Sequence, residues 1–178
     1  NEISDHKWRF HNYPVNQMFG LHSQIPAFLI NQHSITSVDD ANAYISRVER
    51  SQKLLEQLID GLKLREDKGI IAPKFVFEHV IRDSKNLLNG APFDTNGEST
   101  VLADFAKKVD KLEIADEEKS ALKERVSTAL VNNFKPGYES LVTYLTALEQ
   151  KADDRDGAWK FPEGEAYFNN ALKRTTTT

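Results

Sequence analysis

Residues 37–69 read SVDDANAYISRVERSQKLLEQLIDGLKLREDKG, and this stretch determines the expected fold class. Its apolar side chains recur at alternating intervals of four and three residues, which is the spacing of the buried face of an α-helix. That face comprises Ala41, Ile45, Val48, Leu55, Ile59 and Leu62, with Gln52 as its one polar interruption. Ser37 and Asp40 resemble a capping box, which satisfies free backbone N–H groups at a helix start. The stretch therefore predicts one long helix that packs along one face and ends near Gly69.

Similar helical patterns follow, separated by residues typical of turns. Pro73 suits the first turn of a second helix, which is expected to stop at Gly90. Residues 91–97 contain Pro, Asp, Asn and Gly, the composition of an exposed loop. Ser99 and Asp116 are each placed to cap a further helix. These signals predict an antiparallel pair of helices after the loop.

The two ends of the chain carry weaker patterns. Residues 1–14 mix aromatic and polar side chains at no clear period, so we expect an irregular N-terminal arm. Residues 15–30 suggest a short helix that continues past a kink at Pro26. Towards the C-terminus, Pro136 and Gly137 interrupt the helical pattern, and a last helix is expected after Pro162.

Together these patterns predict an all-α protein, built as an antiparallel helical bundle or array of about five to seven helices. Residues 1–178 are expected to form a single helical domain or segment. Strand-like alternation never extends beyond four residues. The threonine run at positions 175–178 follows the last helical pattern with no stop signal, so we expect a fragment of a larger helical protein.

Composition excludes several classes of function. The formal net charge is -4, which gives no overall attraction for phosphate backbones, so a nucleic-acid partner is not expected. The sequence contains no apolar run near the roughly 20 residues needed for a transmembrane segment. Cysteine is absent, which excludes disulfides, thiolate metal ligands and a cysteine nucleophile.

Histidine spacing does not predict a metal site in this chain. His11, His22 and His33 are 11 residues apart, about three helical turns or roughly 16 Å, whereas zinc ligands each lie about 2 Å from the ion. Glu78-His79 does not form the His-Glu-x-x-His pattern of zinc peptidases. The serines fall mainly at expected helix caps rather than in a nucleophile elbow. We therefore predict no catalytic residue, metal ligand or cofactor within this chain.

The most unusual local composition is an aromatic cluster in residues 157–168. Its members are Trp159, Phe161, Tyr167 and Phe168. These side chains could line a binding cleft, since aromatic residues and tyrosine hydroxyls are common in such walls. They could equally form a loop that fastens the last helix to the rest of the protein. The sequence leaves both interpretations open.

Several stretches of the chain resemble the bacterial domain of unknown function 885 family, whose members are often described as lipoproteins. They are residues 5–20, ending Tyr-Pro-Val-Asn-Gln-Met-Phe-Gly, residues 37–69, 73–88 and 157–178, and the Pro-Gly-Tyr-Glu sequence at 136–139. The most specific portion is Pro162-x-Gly164-x-x-Tyr167, followed by Leu172 and the threonine run. The resemblance extends through most of the chain.

Members of that family resemble zinc metallopeptidases, and their His-Glu-x-x-His motif lies downstream of the threonine run. The resemblance therefore implies an N-terminal helical scaffold segment that forms part of a substrate-channel wall, with zinc held elsewhere in the parent. It implies the remainder of the polypeptide and a peptide substrate as partners, and a periplasmic or lipid-anchored location in the cell envelope. Within this reading, Tyr167 is the predicted substrate-binding residue. The alternative is a non-enzymatic helical module that binds a protein or peptide.

Overall fold

The computed structural model describes residues 6–176, and its regular secondary structure is helical. The α-helices are α1 (Leu21–Asn31), α2 (Val38–Glu66), α3 (Lys74–Asn86), α4 (Thr100–Val109), α5 (Asp116–Ala129), α6 (Lys135–Glu149) and α7 (Gly164–Thr176). A π-helical turn, Leu130–Phe134, joins α5 to α6, and a 3-10 turn, Ala158–Lys160, precedes α7. The all-α prediction is confirmed. The first five residues of the predicted N-terminal arm lie outside the described residues.

Helix α2 is the long central helix that the sequence predicts. The Ser37 hydroxyl accepts a hydrogen bond from the backbone N–H of Asp40 at 3.2 Å, as expected for a cap. Its buried face includes Ser51 rather than Gln52. The face keeps the alternation of three and four, but in the opposite phase from the predicted one, and its members are Ala41, Tyr44, Val48, Ser51, Leu55, Leu58 and Leu62. Ser51 is tolerated there since its hydroxyl donates to the carbonyl of Val48 at 2.6 Å.

Helix α1 starts at Leu21, so the predicted helix over residues 15–20 is wrong. The side chain of Asn16 accepts hydrogen bonds from the backbone N–H groups of Met18 and Phe19, each at 2.9 Å. This local turn offers the backbone an alternative to helix, and Val15 then forms an isolated β-bridge with Gly20.

Pro26 lies inside α1, where it removes one helical hydrogen bond. In a regular helix the carbonyl of His22 accepts from the backbone N–H of residue 26, which proline lacks. The buried hydroxyl of Tyr138, on α6, donates to the His22 carbonyl at 2.6 Å instead. A side chain more than a hundred positions away therefore satisfies the carbonyl that Pro26 leaves free.

The predicted interruption at Pro136 and Gly137 is not a break. The helix continues from α5 through the π-helical turn into α6, and the wider turn accommodates the missing N–H of Pro136 near the start of α6. Gly137 allows α6 to approach α2 closely, since a Cβ atom there would lie 3.0 Å from the Cα of Gln52. Ser99 caps α4 as predicted, but Ala115 precedes α5 and Asp116 is its first residue.

The core forms where α6 packs against both α2 and α3. Helix α5 packs against α2, α4 packs against α5, and α1 crosses α2, α3 and α4. Large side chains fill the centre of the core and are fully buried: Tyr44, Phe105, Phe134 and Tyr138. Helix α7 packs chiefly against the 3-10 turn that precedes it. None of the helices within residues 6–176 combines the length and the apolar character needed to cross a bilayer.

Candidate functional site

Tyr167 lies in an aromatic cluster that joins α7 to the N-terminal part of the chain. Its ring centroid is 5.1 Å from that of His11, 5.8 Å from that of Trp8 and 5.8 Å from that of Phe161. The ring of Tyr13 contacts Phe161 from the other side, at 5.4 Å between centroids. Such tilted and edge-on pairs are the favoured geometries of aromatic contacts. The cluster therefore ties two distant parts of the sequence together.

Polar contacts hold the same junction in place. Lys7 forms an ion pair with Glu163, and the side chain of His11 hydrogen-bonds the carbonyl of Pro162 at 3.2 Å. Gly164 begins α7 where a Cβ atom would lie 2.2 Å from the carbonyl oxygen of Ala158. Only glycine fits this close approach, so the turn before α7 fixes the position of Tyr167.

The pKa values of two titratable groups near the cluster, Tyr13 and Asp153, are strongly shifted. Burial, with smaller contributions from Asp153 and Tyr167, raises the pKa of Tyr13 to about 12. Hydrogen bonds from Arg155 and Lys160 lower the pKa of Asp153 to about 2. Tyr13 is therefore neutral and Asp153 ionised at neutral pH. The ionised Asp153 carboxylate is ion-paired with Arg155 and Lys160, at 2.5 and 3.0 Å.

The contacts of Tyr167 are those of a residue that fastens α7 to the arm. Of the other aromatic side chains in the predicted cluster, Phe161 joins it, whereas Trp159 and Phe168 point into solvent. Tyr167 is partly exposed, so its ring is also accessible from outside. Its role in substrate binding stays a prediction.

The histidines are scattered through the fold. His22 and His33 are buried, and burial lowers the pKa of each ring. The ring of His33 hydrogen-bonds the carbonyl of Asp40 at 3.0 Å and Arg47 at 2.9 Å. Within residues 6–176, no three His, Asp or Glu side chains come together to hold a metal ion.

A second feature, which sequence reasoning missed, is a groove of about 800 Å³ between α1 and α2. Its apolar wall comprises Leu21, Ile25, Phe28, Leu29 and Leu54, and its cationic rim comprises Arg47, Arg50 and Lys53. The sequence indicates this groove only through apolar residues on both helices beyond those that the core needs. The groove could not be recognised before the packing of α1 against α2 was known. We call this feature the α1–α2 groove.

Comparisons with known proteins give one family and one fold. The sequence profile of the family described as "Bacterial protein of unknown function (DUF885)" matches residues 1–178. The crystal structure of "the putative lipoprotein from Colwellia psychrerythraea" matches with a TM-score of 0.85 and 23% identity, over 93% of this chain and 28% of that chain. At this identity the likeness shows the fold alone. No curated protein matches.

Proposed function

Since this chain belongs to the DUF885 family of bacterial proteins of unknown function, we propose that it is the N-terminal helical scaffold of a longer protein. In this proposal it forms part of a substrate-channel wall and is inactive without a downstream region that carries a zinc motif. The structure that it resembles supports the first part, because this chain spans only 28% of that chain's length.

The observation that carries the proposal is the uncovered apolar face of α7. Phe168 and Leu172 are one helical turn apart and are 52% and 43% exposed. A helix end that carries two large apolar side chains in solvent is suited to pack against further protein. Tyr167 lies beside this face, which would place it at the junction between scaffold and downstream region.

Zinc does not fit the residues of this chain. No three potential ligands converge in the part of the chain that the structure describes, and the sequence contains no cysteine. We therefore assign no zinc ligand and no catalytic step to it. The zinc-dependent peptidase activity belongs, in this proposal, to the parent protein. A location in the cell envelope, with or without a lipid anchor, is proposed from the lipoprotein that the chain resembles.

One experiment tests the scaffold role by comparing the 178-residue chain with the longest protein from the same reading frame. We expect Phe168→Ser to change the free energy of unfolding of the short chain by no more than about 0.5 kcal/mol. In the longer protein the same change should cost about 1.5–3 kcal/mol, because the side chain is buried there. Lys173→Ser, on the same exposed helix, is the control and should be neutral in both. Equal effects of Phe168→Ser in the two proteins would exclude the packing role.

The same pair of proteins tests the peptidase assignment. We expect stoichiometric zinc and peptide hydrolysis in the longer protein and neither in the short chain. Tyr167→Phe in the longer protein should lower kcat/KM about tenfold through loss of one hydrogen bond to substrate, with zinc content unchanged. Tyr144→Phe, which removes a hydroxyl that donates to Glu66, is the control and should leave kcat/KM unchanged. Zinc and hydrolysis absent from the longer protein would exclude the peptidase assignment.

The alternative function, a non-enzymatic module that binds a protein or peptide, is favoured by the α1–α2 groove. The groove is open, largely apolar and independent of α7. Under this alternative, the longer protein lacks zinc and hydrolysis but retains binding at the groove.

A further inference from the structure

We propose that the α1–α2 groove binds an amphipathic helical segment of a protein partner, with aliphatic side chains on its buried face and carboxylates along its flanks. This inference goes beyond the scaffold role and does not depend on peptidase activity. It rests on the apolar wall, the charge of the rim and the geometry of α2.

The wall of the groove is apolar and open to solvent. Phe28 on α1 and Leu54 on α2 are 45% and 40% exposed, a large apolar exposure for two facing positions on packed helices. Ser51 at the floor uses its hydroxyl for the Val48 carbonyl, so the donor of that group is already satisfied. A partner would therefore gain from apolar contact there rather than from hydrogen bonds to the floor.

The rim of the groove is positively charged, opposite in sign to the net charge of the protein. The protein has a formal net charge of -4, yet the groove is lined by Arg47, Arg50 and Lys53 and by no acidic side chain. Arg47 is held in place by its hydrogen bond to His33 and lies over the ring of Phe28, at 5.6 Å from its centroid. None of the ion pairs among residues 6–176 involves Arg50 or Lys53. These charges are complementary to carboxylates on a partner.

Helix α2 presents a second stripe beside its buried face, and this stripe favours a helical partner. Its members, at intervals of three and four, are Arg47, Arg50, Leu54, Gln57, Gly61 and Leu64. Such spacing is that of a helix-packing seam, and it extends about 25 Å along the axis at 1.5 Å per residue. No extended strand edge lies within the described residues, so addition of a β-strand is not available. The mode is therefore a helix in a groove.

The test uses the intact 178-residue chain and a fluorescent peptide of about 17 residues, which is the length of the stripe in a helix. The peptide carries leucines at i, i+3, i+4 and i+7 spacing and glutamates on the flanks. A second peptide replaces each glutamate with lysine, and a third replaces each leucine with serine. Fluorescence anisotropy should show the acidic peptide binding at least about tenfold more tightly than either of the others.

Two groove variants and two matched controls locate the site. Leu54→Asp should weaken binding of the acidic peptide at least about tenfold, whereas Leu172→Asp, which alters a leucine of similar exposure on α7, should not. The double variant Arg50→Glu and Lys53→Glu should weaken it by a similar factor. Lys107→Glu with Lys111→Glu makes the same change of charge on exposed residues elsewhere and should have little effect.

Four outcomes would overturn the proposal. The first is equal affinity for the acidic and basic peptides, and the second is equal loss in groove and control variants. The third is a longer protein from the same reading frame that no longer binds the acidic peptide, which would show that its own chain occupies the groove. Binding to phosphatidylglycerol vesicles that requires Leu54 and Arg50, without binding to the peptide, would likewise replace the proposal with a lipid site.

Discussion

The hydrogen bond from Tyr138 to the His22 carbonyl predicts a thermodynamic coupling between Tyr138 and Pro26. Tyr138→Phe removes the donor and leaves a buried carbonyl without a partner, because Pro26 has no N–H to offer. Leaving a buried acceptor unsatisfied costs about 1–3 kcal/mol. We therefore expect the free energy of unfolding to fall by that amount, which lowers Tm by a few degrees in a chain of this size.

Pro26→Ala should change this cost. The alanine supplies a backbone N–H at position 26, four residues after His22, so the carbonyl regains its helical donor. In the Pro26→Ala background we expect Tyr138→Phe to cost about 0.5 kcal/mol, close to a surface substitution. The double-mutant cycle should then give a coupling energy of about 1–2 kcal/mol between the two positions.

Urea unfolding followed by far-UV circular dichroism measures all four proteins of the cycle, provided that the m-value stays constant. Tyr144→Phe is the matched control. Its hydroxyl donates to Glu66 at 2.7 Å, away from Pro26, so its effect should add to that of Pro26→Ala. If the effects of Tyr138→Phe and Pro26→Ala add within about 0.5 kcal/mol, the Tyr138 hydroxyl does not replace the backbone N–H that Pro26 lacks.

Three further predictions concern stability. Gly61→Ala should stabilise the chain by about 0.5–1 kcal/mol through helix propensity, since its Cβ would meet only Arg65, at 3.5 Å. Gly137→Ala should instead cost about 1–3 kcal/mol, because its Cβ would lie 2.9 Å from Leu55 Cδ1, and equal urea midpoints for the two variants would contradict this pair. The pKa of Asp153 is lowered from 3.8 to about 2 by Arg155 and Lys160, so its contribution to stability is present above about pH 4 and lost as pH falls through 2. The difference in urea midpoint between wild type and Asp153→Asn should shrink over that range, and a difference that persists at pH 2 would count against this. Tyr167→Ala should cost about 1–3 kcal/mol and Tyr167→Phe less than about 0.5 kcal/mol, and equal losses in thermal unfolding would show that the hydroxyl rather than the ring matters.

Local signals were sufficient for most helices. The apolar face of α2 and the caps at Ser37 and Ser99 depend on residues within one or two turns, so periodicity and side-chain chemistry predict them. The start of α1 was predicted wrongly because two weak local preferences compete there: the helical spacing of apolar residues from Val15 onward, and the turn that the Asn16 side chain stabilises. The Asn16 side chain satisfies two backbone N–H groups in a turn, and the apolar spacing alone does not reveal which preference is stronger.

The candidate sites were harder to predict, because they depend on contacts between distant parts of the sequence. Tyr167 was identified from local composition, but its neighbours Trp8 and His11 could not be assigned to it before α7 was seen against the arm. The α1–α2 groove required two helices, each with more apolar surface than its buried face needs. Pattern analysis of one helix at a time assigns such residues to the core or to the surface, and misses a shared cavity.

The π-helical turn has a consequence for the length of this chain. Leu122, Val126, Leu130, Phe134 and Tyr138 are all buried at intervals of four, which in a regular α-helix would turn the face by about 160°. The wider turn holds one residue more than an α-helical turn, and this keeps both halves facing the core. Loss of one residue such as the exposed Asn132 would leave a regular helix with its two halves still aligned. Loss of a residue elsewhere in α5 or α6 would rotate the rest of the helix by about 100°. Leu130–Phe134 is therefore where homologous chains are expected to differ in length by one residue without rearranging the core.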